Sequence, residues 1–280
     1  MAQTRTRPDR CPGVVRPWRA DDGGLVRVRV PGGRIARPAL RALAAVAEEY
    51  GDGRVRVTGR ANLQLRAMPL TEDGRLAPSA LTALEATGLL PSRAHDRVRN
   101  VLASPQTGLA GGRADLRPVV AALDALLVGD DALAGLPGRF LFTLDDGRGD
   151  LADKHLDLGL VAIDATRAQL RVGEMWGEIV AVDEAPAALT ALAHAFLAAR
   201  GSGPTAPWHV PELDRPLVPP HPPVAGVRVS AGPLAFGPVG GGRHVAVPEG
   251  GLDLPTIAAW TAPTVIVTPW HGVLIPEEDA

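Results

Sequence analysis

Cysteine is nearly absent. The 280-residue chain has one, Cys11, which excludes an internal disulfide and any all-cysteine metal or iron–sulfur site built by this chain alone. Cys11 stands in the turn-like run Arg10-Cys11-Pro12-Gly13 with no base marked nearby, so it reads as a structural thiol rather than a nucleophile. Lysine is as scarce: Lys154 is the only one, and the other 28 basic residues are Arg. Aromatic residues make up 4% of the chain, with five Trp, four Phe and one Tyr, and none stands in the Arg-rich strand over residues 62–67. That speaks against base stacking, and no nucleic-acid partner is expected. No run of eighteen apolar residues occurs, so no membrane span is expected. Met1 to Arg10 is basic and polar with no apolar stretch behind it, unlike a secretory signal, and a cytoplasmic protein is the expectation.

What is present is unevenly spread. Apolar residues reach 46%, enough for a sizeable core. The net charge of −2 hides a division: residues 1–117 hold 20 Arg against 11 acids, and residues 118–280 hold 9 basic residues against 20 acids. The first part therefore offers a positive field to an anionic partner.

Periodicity gives a coarse layout. Leu25–Val30 alternates valine with arginine and stops at Pro31-Gly32-Gly33. A helix follows over 38–50, then strands over 54–57 and 62–67. Further helices are expected near 78–87, 115–128 and 184–200, and strands near 140–144, 156–163, 168–172 and 177–182. Residues 204–223 are proline-rich and read as a stiff linker. The segments are 1–75, a β-α-β-β piece of a ferredoxin-like layer, 76–203, a larger α+β region, 204–223, the linker, and 224–280, a last segment; the resemblance given below makes the first and last of these two ferredoxin-like half-domains.

The most informative stretch is Thr58 to Arg66. If it is a strand, Leu63 and Leu65 face one side while Asn62, Gln64 and Arg66 face the other. Arginine offers a planar fork that matches carboxylates, and the two amides both donate and accept. A solvated outer face would look the same. The chain, however, repeats the pattern: Leu25–Arg34 has an echo in Leu234–Arg243, Thr264–Thr268 echoes Arg54–Thr58, and Pro269–Ile275 lines up with Gly59–Leu65. In the second copy Arg60, Asn62 and Gln64 are replaced by Trp270, Gly272 and Leu274. One copy keeping its polar set where the other has lost it favours binding over solvation.

Four stretches stand in an order and spacing that resembles the sirohaem-dependent sulfite and nitrite reductase superfamily. They are Cys11-Pro12-Gly13, Thr58 to Arg66, Arg99-Asn100-Val101 with Pro105, and Leu136-Pro137-Gly138-Arg139-Phe140 followed by Asp145-Asp146-Gly147. Within it, the corrin-pathway branch of precorrin-3B synthases is the nearest in pattern. The resemblance implies an α+β fold with ferredoxin-like half-domain repeats flanking a larger α+β domain, joined about a pseudo-twofold axis around a tetrapyrrole. It places Arg60, Asn62, Gln64 and Arg66 on the tetrapyrrole-facing strand. It makes Arg97 or Arg99, beside Asn100, a second basic group, and Arg139 a third. Two departures accompany it. The family's cluster-bearing second large domain is not in this sequence, so no self-contained [4Fe–4S] cluster is expected. A further basic position of sulfite reductases is Leu141 here, which argues against sulfite or nitrite reduction.

Three readings follow from the resemblance. One is a precorrin-3B synthase-like oxidoreductase acting on a polycarboxylate tetrapyrrole. Another is a non-catalytic binder of sirohaem or a precorrin, and a third is a sulfite or nitrite reductase subunit. A partner chain or second copy would stand in for the missing domain. The histidines at 95, 155, 194, 209, 221, 244 and 271 show no ligand spacing, and no metal site is expected.

Overall fold

Alternating strands and proline-started helices account for most of the chain. The structure, a computed structural model, describes residues 9–203 and 205–277. In chain order these form β1 (Trp18–Ala20), β2 (Gly23–Val28), β3 (Arg34–Ala36), α1 (Arg37–Tyr50), β4 (Arg56–Val57), β5 (Leu63–Met68), α2 (Pro78–Ala86) and β6 (Val101–Ala103). Then come α3 (Arg117–Val128), β7 (Phe142–Asp145), β8 (Leu158–Ala162), β9 (Arg167–Val172), β10 (Met175–Ala181), α4 (Ala185–Arg200), β11 (Gly237–Val239), β12 (Gly242–Ala246), α5 (Leu254–Ala258), β13 (Thr264–Thr268) and β14 (Gly272–Pro276). Each of these helices carries proline in the first turn, where its missing N–H has no partner to lose.

Contacts divide the chain into two units. One joins Cys11–Arg97 to the chain from Leu234 onward; the other is built mainly on Val98–Pro233. The sequence segmentation puts its first boundary at 75/76, whereas the units part at 97/98, so α2 falls within the first unit.

The first unit contains two sheets of antiparallel pairs, β1-β2-β5-β4 and β11-β12-β14-β13-β3. The duplication keeps its register at the hairpins. Val57 pairs with Leu63 and Arg56 with Gln64, as Val267 pairs with Val273 and Ile266 with Leu274. The echo of Leu25–Arg34 in Leu234–Arg243 is corrected. Gln64 faces Arg27, and its counterpart Leu274 faces His244, so His244 is the residue equivalent to Arg27. The glycine run at 240–242 makes the β11–β12 turn and resembles Pro31-Gly32-Gly33 in letters only.

Pro31–Gly33 does more than end a strand. It forms a tight turn in which Gly32 and Gly33 have φ of 64° and 72°, and it releases β3 into the other copy's sheet. There Arg34, Ile35 and Ala36 pair with Ile266, Val265 and Thr264 of β13. A Cβ on Gly33 would lie 2.2 Å from Val267 O, so only glycine allows this approach.

The second unit is a five-stranded mixed sheet, β10-β9-β8-β7-β6, with β6, β7 and β8 parallel. Parallel strands need both faces covered. Buried Leu116, Val119, Leu123 and Leu127, with Leu189, Ala193 and Phe196, close one face over Phe140 and Phe142. Phe140 stands 5.3 Å from Phe142 and 4.7 Å from Phe196 between ring centroids, contacts worth about 0.5–1.5 kcal/mol each beyond area burial. The proline-rich stretch read as a linker lies along this unit. Leu213, Leu217 and Val218 pack on its core. The His221 N–H donates to Trp176 O (2.9 Å), and Gln169 clamps the strap by donating to Pro222 O and accepting from the Val224 N–H.

Candidate functional site

In the first unit the sheet β1-β2-β5-β4 buries Val26, Val28, Leu63 and Leu65. Its other face carries a basic row. Arg27 on β2, Gln64 on β5 and Arg56 on β4 stand directly opposite one another in register, and directly paired residues share a face. Arg27 Nη2 reaches Gln64 Oε1 at 3.5 Å. Gln64 and Arg56 also line a cavity of about 330 Å³ with His271 and Glu249 of the second copy.

The row runs inward to Arg29, which is only 2% exposed. Arg29 Nη2 donates to Pro12 O at 3.2 Å and touches Cys11 Sγ at 3.4 Å, while Arg27 Nη1 touches the same sulfur at 3.7 Å. Arg29 Nε and Nη1 and Arg27 Nε are buried and have no hydrogen-bond partner among the described residues. A thiol is a weak acceptor, so two guanidinium groups converge with donors to spare. Burial, foremost, pulls Arg29 down to about 10, with the Arg27 charge adding to the effect and Asp96 opposing it. Asp96 is the nearby carboxylate. It accepts the Val15 N–H at 2.8 Å, and burial pushes it up against those backbone bonds and the charges of Arg29 and Arg97. Gly13 brings the segments together, since a Cβ there would lie 2.2 Å from Asp96 Oδ2 and 2.9 Å from Arg97 Cγ.

The residues expected from the sequence fall into distinct settings. Gln64 faces the cavity. Arg60 is half-buried in the turn closed by the Ala61 N–H on Thr58 O. Arg97 is half-buried beside Gly13. Arg66 pairs with Asp22 at 2.9 Å near the surface. Asn62 precedes β5 and is 2% exposed; its Oδ1 accepts the Val30 N–H at 3.0 Å, fixing the end of β2's path. In the second unit Arg99 makes a two-pronged pair with Asp124, Nε to Oδ1 and Nη2 to Oδ2, both 2.7 Å. Asn100 Nδ2 donates to Gly138 O at 2.9 Å, tying the Leu136–Arg139 turn to β6. Arg139 is exposed and lies 5.6 Å from the Trp208 ring centroid. Asn62 Oδ1, Asn100 Nδ2 and the Nε and Nη2 of Arg99 are thus engaged in holding backbone or a carboxylate.

Arg27, Arg29 and Cys11 do not stand out as site residues in the sequence pattern. Their signal is the Val–Arg alternation of β2, which marks one basic face without saying how deeply it lies. The second copy shows the contrast: where the first has Arg27, it has His244, buried and bonded through Nε2 to Thr268 Oγ1 (2.9 Å) and stacked on Phe236 at 4.4 Å. Burial lowers the His244 pKa, against its two backbone carbonyl contacts. A Cβ at Gly272, the position equivalent to Asn62, would meet His244 Nε2 at 2.2 Å. The second copy's face is packed shut.

Two other polar groupings occur in the second unit. A cavity of about 360 Å³ holds Arg171, stacked 4.4 Å over Trp176, beside Asp145 and Thr143. His155, Asp157 and His209 bring three possible metal-ligating atoms within 4.8 Å of one another, although their sequence separation gives no such indication.

Comparison with known proteins places this geometry. Residues 19–72, which include β2, β3, α1, β4 and β5, match the nitrite/sulfite reductase ferredoxin-like half domain. That stretch of the chain is similar to such a half domain. A ferredoxin–nitrite reductase of Synechococcus elongatus is 36% identical over 140 residues, 47% of this chain and 27% of the relative. A precorrin-3B synthase of a Sinorhizobium species is 42% identical over 67 residues, 24% of this chain and 15% of the relative. The solved structure of Mycobacterium tuberculosis NirA superposes with a TM-score of 0.65 and 19% identity, covering 93% of this chain and 57% of NirA. The chain therefore has the sulfite/nitrite reductase fold, and its matches span less than two thirds of each of these proteins. The matched stretch contains the Arg27–Gln64–Arg56 row and the buried Arg29. Among the described residues no helix is long and apolar enough to cross a membrane.

Proposed function

We propose that the first half domain binds a polycarboxylate tetrapyrrole and that the chain acts as a precorrin-3B synthase-like oxidoreductase of corrin biosynthesis. The observation that carries this reading is the buried guanidinium of Arg29 with two uncommitted donors, backed by Arg27. A charge so placed is costly unless an anion completes it, and a carboxylate accepting two parallel N–H bonds is the natural complement of the arginine fork. Gln64 and Arg60 would orient the ring edge and a further carboxylate. The match to a precorrin-3B synthase supports the choice of substrate class.

The residues fit a carboxylate-bearing ring, but they do not fit a [4Fe–4S] cluster, because Cys11 is the only cysteine and lies buried against Arg29. No electron-transfer step is therefore assigned to this chain. The redox centre would come from a partner chain or from a further domain. The same single cysteine favours a second reading, a tetrapyrrole carrier without turnover.

The test is an absorption titration of the purified protein with sirohaem and with a precorrin, followed by turnover assays. Saturable binding that Arg60→Ala weakens by about 1.5–3 kcal/mol is expected for a charged hydrogen bond to a carboxylate. Binding without turnover leaves the carrier, and no binding of either ring removes both readings.

A further inference from the structure

The second unit holds a cluster that tetrapyrrole binding does not use. We propose that His155, Asp157 and His209 form a binding site for one divalent transition-metal ion of the zinc class.

Asp157 is fully buried just before β8. Its Oδ2 accepts the Leu141 N–H at 2.9 Å and its Oδ1 accepts the Val210 N–H at 2.8 Å. A carboxylate offers about four acceptor positions, so each oxygen keeps one. His209 Nδ1 stands 3.2 and 3.1 Å from the two oxygens, and 3.4 Å from His155 Nε2. The two rings meet edge to face at 88°. With zinc–ligand bonds of about 2.0–2.1 Å, neighbouring donors around one tetrahedral ion stand roughly 3.3–3.4 Å apart; the separations from His209 come close to that, and the third pair, His155 with Asp157, lies within 4.8 Å.

Asp157 is a buried carboxylate with two imidazoles beside it. A cation accepts all three lone pairs and balances the buried charge. Two imidazoles and one carboxylate suit zinc or its neighbours better than magnesium or calcium. The backbone bearing His209 is fixed by Glu212, whose Oε2 accepts the Trp208 N–H at 2.7 Å and the His209 N–H at 3.4 Å, the kind of support that orients a ligand. His155 is exposed, which leaves the fourth position to water. The ion would fasten the proline-rich strap at His209 to the entry of β8.

The untagged full chain, stripped with a chelator and titrated calorimetrically with zinc chloride, should take up one ion per chain with micromolar or tighter affinity. Cobalt(II) should give the visible bands of a nitrogen–oxygen site. His155→Ala and His209→Ala should each weaken zinc binding at least tenfold and abolish the zinc-dependent rise in melting temperature, while His194→Ala should bind as the parent does. Asp157 also holds two backbone N–H groups, so its replacement would disturb folding as well as binding; the decisive variant is therefore His155→Ala, at an exposed position. No zinc uptake by the parent protein at tens of micromolar, or uptake unchanged in both His155→Ala and His209→Ala, overturns the proposal.

Discussion

Ala61 and His271 hold the same left-handed backbone position in two copies of one hairpin, with φ of 53° and 57°. Each follows the first strand of its pair, between β4 and β5 and between β13 and β14. Side-chain-bearing residues other than Asn and Asp avoid this region, at a cost of roughly 1–2 kcal/mol. His271→Gly should therefore raise stability by about 1 kcal/mol in urea denaturation, because its exposed ring gives up little packing. Ala61, which is buried, should gain less from the same change. A loss on His271→Gly would mean that the ring's contacts outweigh the strain.

Gly33 should tolerate no side chain. With φ of 72° and a would-be Cβ 2.2 Å from Val267 O, Gly33→Ala must push β3 off β13. A loss of more than about 2 kcal/mol is expected from such combined strain and collision. Chemical denaturation measures it, and near-neutral behaviour would show that the junction yields.

Arg29 should separate binding from folding. Arg29→Met keeps the apolar stem and removes a buried cation with unmet donors, so the ligand-free protein should be as stable or more so. Carboxylate-ligand affinity should fall by about 1.5–3 kcal/mol, the worth of a charged hydrogen bond. Parallel melting and absorption titrations read the two effects, and a stability loss with unchanged affinity would make Arg29 a purely architectural residue.

Arg99 should behave in the opposite way. Its guanidinium is bound to Asp124 on α3 by two 2.7 Å bonds, with side-chain exposures of 9% and 24%. Arg99→Met should destabilise the fold by about 1–3 kcal/mol, less than the full cost of breaking a deeply buried pair because Asp124 still reaches water. Restoration of stability by the double change with Asp124→Leu would identify the pair as the cause.

Asp150 makes stability depend on pH. Burial, reinforced by the charges of Asp145 and Asp146 and opposed by the Ser104 hydroxyl and Arg148, pushes it up to about 7. The folded state thus keeps a proton that the unfolded chain releases near pH 4. The stabilising contribution is complete below about pH 4 and is lost as pH rises from there through about 7. Asp150→Asn should remove that decline, so unfolding free energies of parent and variant compared at pH 5 and pH 8 should diverge more at pH 8. Parallel curves would contradict the assignment.

Much of the fold was legible because apolar spacing reports local structure. The valines of β2 and β13 and the prolines that start α1, α2 and α3 announce themselves in any window of ten residues. The site was less legible because a polar residue's depth depends on distant chain. Asn62 and Gln64 look alike in sequence, yet Asn62 is committed to the Val30 N–H while Gln64 opens to the cavity. Nothing in the sequence around Arg99 shows that α3 brings Asp124 against it. His155 and His209 become neighbours only because the proline-rich stretch folds back along the sheet rather than crossing open solvent.

The transfer of β3 into the sheet of the second copy has a consequence for the order of events on the ribosome. β3 emerges early, but β13, its hydrogen-bonding partner, is translated only after the whole of the second unit. Until then the first copy carries a strand with open N–H and C=O groups, the kind of edge that invites foreign pairing. The chain's duplication is thus a debt contracted at Arg34 and settled at Thr264–Ile266, and a nascent chain halted between the two should be the form most in need of a chaperone.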